Sequence, residues 1–179
     1  MNNFREHRTR REGAENILKS ATNPDQRALA FMAMGQLDEL ECNWQAAIAH
    51  YRSATLESPI DQEIRYFCNN NLGFSLIQTG KFSEAIMFCE KAIETNSDKY
   101  NAHKNLGLAY EGQRRFSQAA RCYITATWRG PGDQRALNLL CQVLKNHPEL
   151  VREHADLQVE LDHLKDMFLT WQQIETLKN

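Results

Sequence analysis

The sequence has no apolar run approaching the roughly 20 residues that a membrane helix needs. Glycine and proline are scarce, 8 and 4 residues in 179, which sets aside a disordered or low-complexity chain and favours helices. The cysteines Cys42, Cys68, Cys89, Cys122 and Cys141 are odd in number and form no C-x-x-C, so neither a disulfide framework nor a zinc knuckle is expected. Buried structural thiols are the expectation instead. No charge sign dominates. Lys and Arg number 21 against 23 Asp and Glu, and the net of −2 argues against nucleic acid or an acidic membrane as partner. Catalytic signatures are missing as well: there is no Gly-rich phosphate loop, no G-x-S-x-G and no H-E-x-x-H. The six histidines are scattered, and no side chain can be given a role in a reaction, so no enzyme, metal or cofactor is expected. Residues 1–11 are rich in Arg with no apolar run behind them, unlike a secretory signal, and a cytoplasmic protein is expected.

What the chain does have is a repeat. It is 42% hydrophobic and 25% charged, enough to bury a core, and its length suits one domain. Within residues 66–133 one unit occurs twice. Leu72-Gly73 recurs as Leu106-Gly107, Leu76 as Tyr110, Phe82 as Phe116, Ala85 as Ala119, Cys89 as Tyr123 and Ala92 as Ala126, each pair 34 residues apart. A fixed period of that size marks a repeat architecture. The spacing inside each unit is helical. Phe82, Ala85, Ile86, Cys89, Ala92 and Ile93 form an i, i+3, i+4, i+7 face. Thr79-Gly80-Lys81 stops one helix and starts the next. Gly73 and Ala85 predict two helix axes in close approach. Such a hairpin cannot bury its apolar face alone and must stack on neighbours.

The pattern of Leu-Gly, an aromatic or Leu, Ala, an aromatic and Ala resembles the tetratricopeptide repeat (TPR) family. The resemblance implies an all-α fold, a right-handed α–α superhelix of helical hairpins with a partner-binding concave groove. Three repeats are read near 28–61, 66–99 and 100–133. A partial one follows at 134–147, and a solenoid is expected over 23–147. The first repeat departs from the family at Asp38, where Leu or an aromatic is expected, which predicts a looser hairpin. Gly35 to Gly73 is 38 residues, and the extra turn near Asp61 to Ile64 predicts a longer first helix in the second repeat.

The flanks are read differently. Residues 1–22 form a basic arm with Arg5, Arg8, Arg10 and Arg11 against Glu6 and Glu12, expected as a solvated end leading to a short helix over Ala14 to Ala21. Residues 148–179 are expected to be one long helix capping the last hairpin. Its Leu150, Leu157, Leu161, Leu164, Phe168 and Trp171 alternate by four and three once His154 fills one slot. That seam leaves open a homodimer paired through residues 150–171, as a scaffold or secretion-type chaperone.

In the family the first helix of each hairpin lines the groove at its second, fifth, sixth, ninth and twelfth places. Carried over, these are Leu29, Met32, Ala33, Gln36 and Glu39 in the first repeat. The second contributes Phe67, Asn70, Asn71, Phe74 and Ile77. The third contributes Asn101, Lys104, Asn105, Leu108 and Glu111, and the partial one Arg135, Asn138, Leu139, Gln142 and Lys145. Asn70, Asn71, Asn101, Asn105 and Asn138 read as an amide ladder able to hold a peptide backbone. Phe67 and Phe74 read as apolar pockets beside it. A protein or peptide is thus the expected partner. One branch of the family clamps the acidic C-terminus of heat-shock chaperones with Lys and Asn, then Asn, then Lys and Arg. This chain has Met32 and Gln36, then Asn71, then Asn101 and Asn105. One repeat later it has Asn70 and Phe74, then Asn105, then Arg135 and Leu139. Neither register makes that clamp.

Overall fold

The computed structural model describes residues 2–177. The side chains of Arg5 and Glu6 in the basic arm, and of Glu175 and Lys178 at the other end, lie outside the described residues. The described residues form ten helices and no strand. They gather into two compact units that divide between Asn96 and Ser97.

The first unit holds α1 (Asn2–Ser20), α2 (Pro24–Leu40), α3 (Trp44–Leu56), α4 (Gln62–Gln78) and α5 (Phe82–Thr95). Helices α2/α3 and α4/α5 are the first two hairpins. Local chemistry sets their ends. Asn23 Oδ1 accepts from Gln26 N at 2.9 Å, with Pro24 opening α2. Asp61 Oδ1 accepts from Glu63 N at 2.7 Å and Ile64 N at 3.0 Å to open α4. Helix α4 is 17 residues long, as is α2, one turn more than the third hairpin's first helix. Each turn between paired helices needs one left-handed residue. Gly80 supplies it at φ 73°, but Cys42 (φ 55°) and Arg114 (φ 61°) stand at the equivalent places. Cys42 is therefore exposed in a turn rather than buried, which corrects the expectation for that thiol. Cys68 and Cys89 are buried, and burial pushes the Cys68 thiol up to about 12.

The N-terminal segment is more than a solvated arm: Arg8 and Arg10 are exposed, but Arg11 is half-buried. It is helical from Asn2, well before Ala14, and α1 packs along α2 as α3 packs along α4. An Arg8–Glu12 pair at 2.9 Å supports its exposed face. Arg11 reaches into the hairpin instead. Its Nη2 donates to Asp38 Oδ1 at 2.8 Å, while His50 Nδ1 lies 2.6 Å from Asp38 Oδ2. The Asp38 side chain is 3% exposed. The residue expected to loosen the first hairpin ties three helices together, because two cationic-capable groups satisfy both carboxylate oxygens.

The second unit holds α6 (Tyr100–Gly112), α7 (Phe116–Arg129), α8 (Gln134–Asn146), α9 (Glu149–Glu153) and α10 (Ala155–Leu177). Helices α6/α7 form the third hairpin. The expected single helix over 149–178 is broken at His154, whose φ of −134° and ψ of 79° lie outside the helical region. Packing explains the break. Val151 stands about a quarter turn off the seam that begins with Leu150. The kink lets both reach the cluster of Tyr123, Leu137, Leu140 and Leu144, together with Leu157, Leu161 and Leu164 from α10. Helix α10 packs on α7, α8 and α9. It is tied to α7 by Arg121–Asp156 at 2.9 Å and by Trp128 Nε1 to Glu160 Oε2 at 3.2 Å. The seam that admitted a dimer is thus used inside the chain.

Each hairpin crosses at a glycine. A Cβ on Gly35 would fall 2.7 Å from Tyr51 Cε1, and one on Gly73 would fall 2.7 Å from Cys89 Sγ. One on Gly107 would fall 2.7 Å from Tyr123 Cδ1 and closer still to Cε1. The large partner comes with an acceptor one turn past the glycine. Tyr123 donates its hydroxyl to Glu111 at 2.7 Å, and the buried Tyr51 hydroxyl lies beside Glu39. In the middle repeat Cys89 replaces Tyr, and Ile77 stands where the Glu would be, so no buried hydroxyl needs an acceptor.

Candidate peptide-binding face

The first helices α2, α4, α6 and α8 carry the residues assigned to a groove, and the structure sorts them by accessibility. In the first unit Leu29 and Gln36 are exposed, and Met32 and Ala33 are half-buried. Ala33 and Gln36 line an apolar cleft of about 360 Å³ with Ala14 and Ile17 of α1. Glu39 is turned to internal use: Ser75 donates to it at 2.9 Å, and burial raises its carboxyl above the usual range. Phe67 and Phe74 are half-buried and already have aromatic partners. Phe67 meets Tyr66 edge-on at 5.2 Å between centroids, and Phe74 meets Trp44 at 6.0 Å. Ile77 is half-buried.

The asparagines do not present themselves equally. Asn71 is half-buried, but Asn70 is 7% exposed and donates to Asn71 Oδ1 at 3.0 Å. Asn69 is likewise covered and donates back to Arg65 O at 2.9 Å. In the second unit Asn105 is 3% exposed, Asn101 half-buried and Asn138 exposed. The amides open to a ligand are therefore Asn71, Asn101 and Asn138, while Asn70 and Asn105 stand mainly within the packing. A helical periodicity places all of them on the first-helix side but does not say how deep each lies.

Lys104 is the unexpected member. It shares a face of α6 with Asn101, Asn105 and Leu108, yet it is only 8% exposed. Leu108 is half-buried. Among the described residues Lys104 forms no hydrogen bond and no ion pair. The acid that acts on it, Asp133, is already committed. It caps α8 by accepting from Arg135 N at 2.9 Å, and it holds the Arg135 guanidinium in a fork, with Nε 2.9 Å from both oxygens. The Arg135 side chain holds the Asp133 carboxyl well below the usual range. Desolvation lowers the pKa of Lys104, Arg135 lowers it further, and Asp133 opposes them.

The sign of the stability effect follows. The folded chain holds the Lys104 proton less tightly than the unfolded chain, whose ordinary value is 10.5. Between the lowered value and 10.5 the unfolded state binds more protons, so this group makes stability rise with pH in that window. Below the window its cost is fully present. Lys104→Met is expected to melt higher than wild type at neutral pH, and the gap is expected to close as pH approaches 10.5. Paired thermal melts across that range check this, since every other titrating group is common to both chains. A variant that melts lower at neutral pH would mean that the ammonium is already satisfied.

No helix among the described residues is long and apolar enough to cross a membrane. Nor do the described residues hold a group of three or more His, Cys, Asp or Glu side chains placed to take a metal ion. The geometry is that of a helical-hairpin repeat protein, a class that serves protein–protein interaction. Tetratricopeptide repeat profiles match residues 68–99 and 102–145, so the chain contains tetratricopeptide repeats. Among curated proteins it is 26% identical over 102 residues to Protein O-mannosyl-transferase Tmtc3 of Drosophila melanogaster. The match takes in 53% of this chain and 11% of that relative, so the chain spans only a small part of its length. Among solved structures it is similar to a crystal structure of MamA protein, with TM-score 0.70 and 16% identity over 95% of this chain and 88% of that one. It is similar to the Arabidopsis OM64 TPR domain, with TM-score 0.63 and 18% identity over 69% and 98%. A third is the first TPR of Spaghetti (RPAP3) bound to the HSP90 peptide SRMEEVD, with TM-score 0.62 and 20% identity over 68% and 94%. At these identities the likeness is one of fold. Proteins of this family act in general as non-enzymatic interaction modules.

Proposed function

We propose that this chain is a non-enzymatic, cytoplasmic adaptor that holds an extended peptide or partner helix on the first-helix faces of its repeats. The observation that carries the reading is that each unit has accessible amides on its first helices: Asn71 in the first, on the helix that carries the half-buried Phe67 and Phe74, and Asn101 and Asn138 in the second, where Leu108 is half-buried. Primary amides both donate and accept, which suits a peptide backbone, and the apolar neighbours suit its side chains. The peptide-bound TPR among the structural neighbours supports this class of ligand, although the clamp residues of the chaperone-binding branch are missing here. The near-neutral charge balance speaks against nucleic acid. The competing reading is a homodimeric scaffold or secretion-type chaperone paired through residues 150–171. Burial of Leu157, Leu161 and Leu164 within the chain's own core favours a capping role for α10 over that pairing.

The test starts from peptides selected on the immobilised chain out of a random library. Asn71→Ala combined with Asn101→Ala is expected to weaken the selected peptides about tenfold or more, since each lost hydrogen bond is worth roughly 0.5–1.5 kcal/mol. Helical circular dichroism should stay unchanged. Full affinity in the double variant, or a library that yields no binder, would count against the reading. Sedimentation of the free chain addresses the competitor: a dimer at micromolar concentration, lost in Phe168→Asp, would favour the scaffold.

A further inference from the structure

The turn between α3 and α4 presents the two most exposed large apolar side chains among the described residues, Leu56 at 82% and Ile60 at 74%. A hairpin does not require an apolar residue at the place of Leu56. Counted from Trp44, Phe82 and Phe116, the second repeat has the exposed Glu94 there. The third has Trp128, whose Nε1 donates to Glu160 of α10. Leu56 has no comparable partner. The turn is held from both sides. Arg65 donates to Pro59 O at 2.9 and 3.1 Å and to Ile60 O at 3.3 Å. Asp25 Oδ1 accepts from Ile60 N at 2.7 Å and from Asp61 N at 3.2 Å. Ser58 stands in the left-handed region at φ 52°, and Pro59 is buried. A turn pinned this way loses little freedom when something settles on it, so its exposed apolar groups can contribute affinity.

Leu56 and Pro59 line a cleft of about 500 Å³ with Cys68 and Phe88, and with the cations Arg65 and Lys91. Lys91 Nζ lies 5.1 Å from the centroid of the Phe88 ring. Arg65 and Lys91 also line an adjoining cleft with Glu94, so two cations face one acid, and no ion pair forms between them. No residue of either cleft belongs to the set assigned to the first-helix groove. Two features define the occupant. Leu56 and Ile60 project outward and so need pockets in something larger than an enclosed small molecule. The surplus cation calls for an acid. An anionic membrane suits the turn less well, because Asp61 and Glu63 are exposed on it. We propose that the α3–α4 turn and the cleft beside it form a second docking surface, for an apolar segment of a partner protein that carries an acidic side chain. The proposal goes beyond the amide-bearing first-helix face and does not rest on it. Arg65 positions the turn, and Lys91 meets the acid.

A random peptide library is first depleted on the full chain carrying Leu56→Ser with Ile60→Ser and then selected on the wild-type chain. Both side chains are exposed, so circular dichroism of the double variant should match wild type. Surviving peptides should place Asp or Glu among apolar residues. They should bind Lys91→Glu at least about tenfold more weakly, and bind the Asn71→Ala, Asn101→Ala chain as tightly as wild type. No survivor after depletion, survivors that bind Lys91→Glu at full affinity, or survivors lost with the asparagines would overturn the proposal. Phosphatidylcholine vesicles with and without phosphatidylserine test the other class of partner. Retention of wild type on the anionic vesicles, lost in the Leu56→Ser, Ile60→Ser chain, would assign the turn to a membrane and overturn the proposal too.

Discussion

Gly107→Leu is expected to destabilise the second unit by about 1–3 kcal/mol, the range for overpacking a close-packed core, and more if the crossing cannot open. The clash is with a ring, not with the end of a flexible side chain. Tyr123 is fully buried, and its hydroxyl is held by Glu111 at 2.7 Å, so the ring cannot swing away without leaving a buried donor unpaired. A Cβ alone would already stand inside normal contact with Tyr123 Cδ1. Gly107→Ala should therefore also destabilise, against the general preference of helices for Ala over Gly. The internal comparison is Gly13, an exposed glycine in α1 with nothing within 4 Å of an added Cβ. There Gly13→Ala should stabilise by roughly 0.5–1 kcal/mol. Denaturant unfolding of the three variants checks the pair of signs. A Gly107→Ala chain as stable as wild type would mean that the α6–α7 crossing is looser than the structure has it.

Asp38→Ala is expected to cost about 2–3 kcal/mol. Removing one member of a buried ion pair typically costs 3–5 kcal/mol, because the partners are left without their counter-charge. Here Arg11 and His50 keep side-chain exposures of 31% and 29%, so water compensates part of the loss. The damage should be local first. Arg11 is a polar anchor of α1 on the first hairpin, so hydrogen exchange in α1 should accelerate more than exchange in α4 or α5. Asp38→Asn keeps the shape and some hydrogen bonding and should fall between wild type and Asp38→Ala. Arg11→Ala should show part of the same effect. Combined with Asp38→Ala it should cost less than the two single losses added together, since both remove one interaction. Unchanged exchange in α1 for Asp38→Ala would show that the packing around Ala14 and the contacts of His7 and Arg11 with Glu41 are enough to hold that helix.

The architecture was legible in the sequence for a physical reason. A repeat of 34 residues with Gly at each crossing and Ala on the facing helix is a local pattern, and helix spacing follows from it without knowledge of distant contacts. The three hairpins and the half repeat follow from that pattern, and the apolar seam of the last segment follows from its own alternation by four and three. Depth did not. Asn101 and Asn105 lie on one helical face, yet one is half-buried and the other covered, because neighbouring helices and not periodicity set how far each amide reaches. The same holds for Lys104, which the spacing placed on the face but could not show to be buried along its length. Asp38 looked like a defect because its two partners, Arg11 and His50, lie 27 and 12 residues away, and only packing brings them together. The break at His154 carries no Gly or Pro to announce it. It exists because Val151 gains a place in a core that α7 and α8 build. Local chemistry determined which elements form, and tertiary packing decided which of their polar side chains remain open to a partner.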